Sequence, residues 1–592
     1  MTGFAQVVQE APEIVDIVIE GNNSLSNKLL LKQVHLKEKR FVSKGSFYNK
    51  HHLAREIERL EDFYTLNGFL DAQITDSLSI GEGNVITIFL LVEEGKQYYL
   101  KDVNLSGNSV FTEAEYLDII EFQAGSTFNT FKIRENLIEM LTHYQNNGYP
   151  LINIRDSVVV QDSVSLFIKV KEGPKLNIGK ISIQATDHIP AYVIKREIIV
   201  EPGDVFNLRN IEESKRRLYE TSLFNSVNIS MGRVNFDSLT IDIDVKIIPA
   251  KFRAFDMNMG VKQGYAEGTK KGDPILTLGA SGSWYHNNLF DKGRRVRIET
   301  KLSSIYPSIF IPQEFNLDFF YVEPWVGKFR TPLTINPFLA YSDYRDIEYN
   351  NLTYGLRTIV DYRWFRKVKI RSLAEWSLTD SVGTPNEGQE VYPEARKIGF
   401  KLTWDERDDF FYPHAGFKFV IEPELVGYFL GGENHYMQVQ TSFSSYWNIF
   451  RDFVFAHNIN VAVATERDDG IPIPEKERFF LGGNTSIRGF QQQGLGPLDI
   501  IGEPLGGNFR VYTNFEIRFP IYEYLGGEVF MDIGNLWAEA KDASISDLEM
   551  AIGAGITIDT PIGPARIDYG IPLGPENANK GGQAHIAIAY AF

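Results

Sequence analysis

Between positions 509 and 519 apolar and polar residues alternate without a break. Phe509, Val511, Thr513, Phe515, Ile517 and Phe519 share one face, and Arg510, Tyr512, Asn514, Glu516 and Arg518 the other. A period of two is the signature of a β-strand. One face suits hydrocarbon and the other water, and a soluble sandwich rarely places Arg, Glu and Arg opposite three Phe within one strand. The last residues repeat the design, with Ile586, Ile588, Tyr590 and Phe592 on one side and Ala587, Ala589 and Ala591 on the other. Chain ends usually fray, so an amphipathic strand running to a terminal aromatic suggests a strand used for barrel closure and recognition.

Ahead of position 250 the pattern changes to repeating units that carry helical faces. Gly45 with Tyr48, Gly125 with Phe128 and Gly203 with Phe206 recur at spacings of 80 and 78 residues, each just before a helical stretch. Tyr64-x3-Gly68-Phe69 returns as Tyr144-x3-Gly148-Tyr149, and Glu94-Gly95 as Glu172-Gly173. Leu53, Ile57, Leu60 and Tyr64 have the i, i+4, i+7, i+11 spacing of Ile133, Leu137, Met140 and Tyr144, which is one apolar helix face that must pack on a sheet. The third unit departs from this, with Lys215 in place of Leu137 and the 218–224 stretch in place of the Gly-aromatic ending. Each unit predicts β-α-α-β-β. Phe111-Thr112-x-x-Glu115-Tyr116 supplies a capping box and a hydrophobic staple for one helix start. Little linker remains at the Glu-Gly junctions, so the units are expected to form a semi-rigid arm.

A length of 592 residues exceeds one ordinary core. All seven Trp and 54 of the 77 aromatic residues lie beyond position 250, as the interfacial girdles of a membrane barrel require. No apolar run reaches transmembrane-helix length, and a mean hydropathy of -0.19 is no objection to a barrel, whose faces average out. A net charge of -17 argues against nucleic acid as a partner, and the absence of cysteine removes disulfides and thiolate sites. The first ten residues lack a basic start and apolar core, so an exported form is expected to have lost its signal peptide. There is no nucleophile elbow, zinc-protease motif or phosphate-binding loop, so no enzyme and no cofactor is expected. His51-His52 and the acidic 405–409 stretch are read as solvated charges and not as a metal site.

The segment Gly482-Gly483-Asn484-Thr485-Ser486-Ile487-Arg488-Gly489-Phe490 resembles the lumen-loop signature of the outer-membrane assembly factors that include BamA and TamA. Supporting pieces are Asp405-Glu406-Arg407-Asp408 with Pro413 and Gly416, Phe530-x-Asp532-x-Gly534, and Pro561-Ile562-Gly563-Pro564 before Arg566-x-Asp568-Tyr569-Gly570. The resemblance covers nearly the whole chain. It implies three periplasmic POTRA modules of the α+β class ahead of a transmembrane antiparallel β-barrel, 16 strands expected. The boundaries read as an N-terminal tail at 1–12, modules at 13–95, 96–173 and 174–249, and the barrel at 250–592. It implies an insertase or translocation factor of the bacterial outer membrane that receives unfolded outer-membrane or secreted clients. The lipid bilayer and periplasm-spanning or accessory assembly subunits are its other expected partners. Three modules rank it as TamA-like, with a BamA-like central subunit or a two-partner-secretion exporter as alternatives.

Two sites are expected. The resemblance implies that Arg488, with Gly489 and Phe490, enters the lumen and is held by acidic residues on nearby strands, and the alternation independently places Glu516 and Asp532 inside. The second is a lateral seam where the first strand, with Asp256, Gly260 and Gln263, meets the last, with His585, Ile588, Tyr590 and Phe592. Gly260 and Gly264 weaken packing at that edge, which is read either as a template for an incoming strand or as relief of crowding at barrel closure.

Overall fold

The computed structural model describes residues 12–36, 46–119, 124–184, 188–264, 275–305, 313–344, 349–365, 367–382, 393–450, 453–467, 471–499, 502, 504–522, 524–560, 563–574, 577 and 581–588. Two compact units result, Met1–Pro249 and Ala250–Phe592. The first holds three modules of the expected element order. β1 (Glu13–Glu20), α1 (Asn27–Leu31), α2 (Lys50–Leu66), β2 (Gln73–Gly81) and β3 (Val85–Glu93) make the first. β4 (Leu100–Ser106), α3 (Glu113–Ile119), α4 (Thr130–Asn146), β5 (Asn153–Val160) and β6 (Val164–Lys171) make the second. β7 (Asn177–Ile183), α5 (Ala191–Lys195), α6 (Leu208–Glu220), β8 (Phe224–Asn235) and β9 (Thr240–Pro249) make the third. In each sheet the last strand lies in the middle, parallel to the first and antiparallel to the second.

The expected helix faces are the buried ones. Leu53, Leu60 and Tyr64 of α2 pack with Ile86, Ile88, Leu90 and Val92 of β3, and Met140 and Tyr144 of α4 with Leu166, Ile168 and Val170 of β6. The Thr112 N–H donates to Glu115 at 2.7 Å, and the Glu115 N–H to the Thr112 hydroxyl at 3.3 Å. The Phe111 and Tyr116 rings meet edge to face at 6.3 Å. Gly68 and Gly148 sit at the module junctions, where their carbonyls accept the Tyr98 and Leu176 N–H groups, each at 2.8 Å.

The recurring Glu-Gly pair has a structural reason. Glu94 accepts from the Ser24 amide and hydroxyl (2.9 and 2.7 Å) and from Tyr64 (3.1 Å), tying the turn after β1 to the end of β3. Glu172 does the same with Ser109 (2.7 Å from the amide), the Val110 amide (2.8 Å) and Tyr144 (2.8 Å). At the same distance past the third module's central strand core stands Pro249, which has no carboxylate to make this tie. Burial raises the carboxyls of Glu94 and Glu172, but the donors outweigh it and hold both below the ordinary range. A depressed folded-state pKa gives stability that is complete above the unfolded value, about 4, and lost as pH falls through the folded value. The thermal midpoint of the modules should therefore drop between about pH 5 and pH 3. In a Glu94→Gln, Glu172→Gln double variant, already destabilised at neutral pH, this drop should be much smaller.

Sixteen strands form one antiparallel sheet in chain order. They are β10 (Arg253–Gly264), β11 (Ile275–Leu289), β12 (Arg294–Ile305), β13 (Glu314–Glu323), β14 (Leu333–Tyr344), β15 (Tyr349–Phe365), β16 (Val368–Val382) and β17 (Glu394–Asp405). The series continues with β18 (Gly416–Val426), β19 (Tyr436–Phe450), β20 (Phe453–Glu466), β21 (Phe509–Tyr522), β22 (Leu525–Trp537), β23 (Glu549–Ile558), β24 (Ala565–Leu573) and β25 (Gln583–Ile588). Outward positions carry exposed apolar side chains such as Ile398, Phe400, Phe443, Val529, Ile552 and Ile567. Inward positions carry ion pairs such as Arg357 with Glu375 and Lys401 with Glu422, both at 2.6 Å. No described helix is long and apolar enough to cross a membrane.

Candidate functional site: a charged lock inside the barrel

The segment between β20 and β21 carries the glycine-rich signature, and its Arg488 side chain is completely buried. Period-two alternation on β21 aims Asn514, Glu516 and Arg518 inward, and on β22 it does the same for Glu528, Phe530 and Asp532. Arg488 fits Asp532 with both prongs of its fork, Nε to Oδ2 and Nη2 to Oδ1, each at 2.9 Å. Its own amide also donates to Asp532 at 2.9 Å. Nη1 lies 2.7 Å from Glu516 and 2.9 Å from Glu528, and the guanidinium stacks on Phe530 with 3.5 Å to the ring centre. Asn514 braces the fork by donating to Asp532 (2.8 Å) and to the Ser486 carbonyl (2.5 Å). Such bidentate, charge-assisted contacts fix orientation as well as energy.

The two acidic residues expected from alternation, Glu516 and Asp532, are thus both against Arg488. Several others went unassigned in the sequence. Glu528, Asp568 on β24, and the arginines Arg518 and Arg566 complete a sealed cluster of three guanidiniums and four carboxylates. Glu528 could have been found, since it lies four residues before Asp532 and so on the same strand face. Arg566 also reaches back to the loop, donating to the Asn484 carbonyl at 2.6 Å. The loop is therefore held from both sides, by its own arginine and by one from the wall.

Gly489 and Phe490 take different parts. Phe490 sits in an apolar cluster with Phe479, Leu481, Ile487, Leu495 and Leu536, which seats the loop against the wall. Gly489 has φ +93, and a Cβ there would lie 3.0 Å from the Gly570 carbonyl carbon. Its amide donates to His585 Nε2 at 3.4 Å, which links the loop to the last strand.

Asp256, Gly260 and Gln263 lie on β10, with the Gln263 side chain outside the described residues. His585 and Ile588 lie on β25, where the Ile588 side chain is likewise not described; Tyr590 and Phe592 lie outside the described residues. Among the described residues β10 pairs with β11 and β25 with β24, and neither pairs with the other. The acidic stretch before β18 organises its own turn: Asp405 clasps Arg407, Asp408 accepts the His414 and Ala415 amides, and Asp409 those of Phe411 and Tyr412.

The surface antigen variable number repeat known as POTRA matches residues 12–95, 98–173 and 176–249. The outer membrane protein assembly factor BamA of Neorickettsia risticii is 23% identical over 591 residues, covering 95% of this chain and 76% of that protein. The protein of that name from Neisseria meningitidis serogroup B is 21% identical over 631 residues, again covering 95% and 76%. The crystal structure of Haemophilus ducreyi BamA lacking POTRA domains 1–3 shares the fold, with a TM-score of 0.59 and 18% identity over 83% of this chain and 98% of that one. The Omp85 superfamily domain matches residues 288–592, and this chain belongs to that superfamily, as an outer-membrane barrel of sixteen strands behind three POTRA modules.

Proposed function

We propose that the protein is an outer-membrane insertase. The barrel lies in the outer membrane and the modules in the periplasm. Unfolded clients meet the modules first, whose outer strands β2, β5 and β8 leave backbone edges that can accept an extended segment. A client strand then pairs at the seam between β10 and β25 and passes into the bilayer. The observation that carries this reading is the combination of a loop locked on β21, β22 and β24 with first and last strands that leave each other unpaired among the described residues. The lock keeps one side of the seam rigid while the other edge stays available. No nucleotide is needed, because burial of the client's apolar surface drives the step.

Module count favours a TamA-like role, and the relatives named as BamA support a central assembly subunit, with accessory subunits as partners in either case. The test is insertion of an unfolded barrel protein into liposomes with and without this chain, beside single-channel conductance in a planar bilayer. Faster insertion with small, fluctuating conductance is expected. No acceleration together with a large steady pore would replace the insertase with an exporter. A reversible disulfide across the seam should return insertion to the unaided rate, and reduction should restore it.

A further inference from the structure

Four prolines lie in the described barrel strands; Pro520 and Pro572 fall within the last three residues of β21 and β24, whereas Pro337 and Pro423 stand farther inside β14 and β18, where each removes a ladder donor. Between β13 and β14 the pairs run in register to Asp318 with Phe338 and resume at Tyr321 with Ile335, and Pro337 stands in the gap. There the buried Asn336 side chain donates to the Phe319 carbonyl at 3.2 Å, the acceptor that Pro337 leaves without its backbone donor. Between β17 and β18 the same gap falls at Pro423, with pairs intact from Lys397 to Gly399 and from Leu402 to Asp405, and the register unchanged across it. Among the described residues no side chain donates to the Phe400 carbonyl, so this gap is not patched. An outward groove of about 650 Å³ opens over it, lined by Thr358, Ala374, Phe400, Pro423 and Met437.

The position of the unpatched gap matters. β17 and β18 are the eighth and ninth of sixteen strands, so the gap divides the sheet into two equal halves and lies as far as possible from both seam strands. The charged lock braces only the second half, on β21, β22 and β24. The turn joining β17 to β18 is fastened to that same half. The Tyr412 hydroxyl donates to the Thr560 carbonyl and accepts from the Thr560 N–H, both at 3.1 Å, on the turn between β23 and β24.

We propose that the β17–β18 ladder at Pro423 is the hinge of the barrel, on which strands β10 to β17 swing against the braced strands β18 to β25 to part the seam. The hinge rests on the lateral-seam reading given above. A barrel wall of continuous ladders resists bending, and one missing backbone bond at mid-height lowers that resistance where a given swing moves the seam furthest.

The test uses the full chain, which has no cysteine of its own, carrying Met257→Cys and Ile586→Cys for spin labels on β10 and β25 in liposomes. Pro423→Ala restores the donor, and Pro423→Val serves if the alanine variant folds poorly. Either should narrow the label distances toward the closed value and slow client insertion about fivefold, the equivalent of one net hydrogen bond. Tyr412→Phe frees the turn and should broaden the distances, so the two changes have opposite signs, which general destabilisation would not produce. Distances and insertion rates unchanged by both proline replacements, in a protein whose wild type opens and accelerates insertion, would overturn the hinge alone. A wild-type seam with one closed distance would overturn the hinge together with the seam reading.

Discussion

Replacing Arg488 with alanine should cost the barrel about 4 kcal/mol and lower client insertion by a hundredfold or more, because the change leaves buried carboxylates unpaired. Glu516, Glu528, Asp532 and Asp568 are each at most 1% exposed, and they converge on this guanidinium from three strands. Without it Arg518 and Arg566 face four carboxylates, and Asp532 loses all three bonds that Arg488 makes to it. The loop would be loosened from the wall, since the Asn514, Arg566 and Arg510 contacts to its carbonyls and the 3.4 Å contact of the Gly489 amide with His585 restore none of the lost charge pairing. A urea-unfolding midpoint on the liposome-inserted barrel reads the first effect and the insertion assay the second. Arg488→Lys separates charge from geometry: an ammonium restores one positive charge but not the fork on Asp532, so it should recover part of the stability and little of the activity. An alanine variant with unchanged midpoint and unchanged insertion would dismiss the lock.

Much of this was legible in the sequence, for identifiable reasons. The modules announced themselves because each must bury one helix face on a sheet, which forces Leu53, Leu60 and Tyr64 into a spacing that α4 repeats at Met140 and Tyr144. Glu94 and Glu172 were visible as recurring landmarks, but only the structure gave their task, because their Ser24 and Ser109 donors lie 70 and 63 residues away. In the barrel, alternation places a side chain inside or outside and says nothing about which inward residues converge. Glu516 and Asp532 lie on adjacent strands and were within reach of that reasoning. Asp568 and Arg566 sit two strands beyond β22, on a wall position fixed by strand stagger, which no local pattern encodes. The interior prolines are plain in the sequence, yet whether each gap is patched depends on a cross-strand acceptor such as the Phe319 carbonyl.

The second large effect is expected at a residue without a side chain. Gly570 on β24 lies directly beneath the loop, and a Cβ placed there would stand 2.5 Å from the Gly489 nitrogen and 2.8 Å from the Arg488 carbonyl carbon. Both neighbours are backbone, so they cannot swing aside as a flexible side chain could. Gly570→Val should therefore lift the loop from the wall and unseat Arg488 with every ligand still present, reproducing the loss of insertion expected of Arg488→Ala. Ser486, 8% exposed, reports the event directly, because the chain offers no competing thiol. Ser486→Cys should resist a maleimide in the parent and react readily beside Gly570→Val. The two changes act on one contact, so Arg488→Ala combined with Gly570→Val should cost little more than either alone. Additive losses would mean that Gly570 supports the barrel by a route other than the lock.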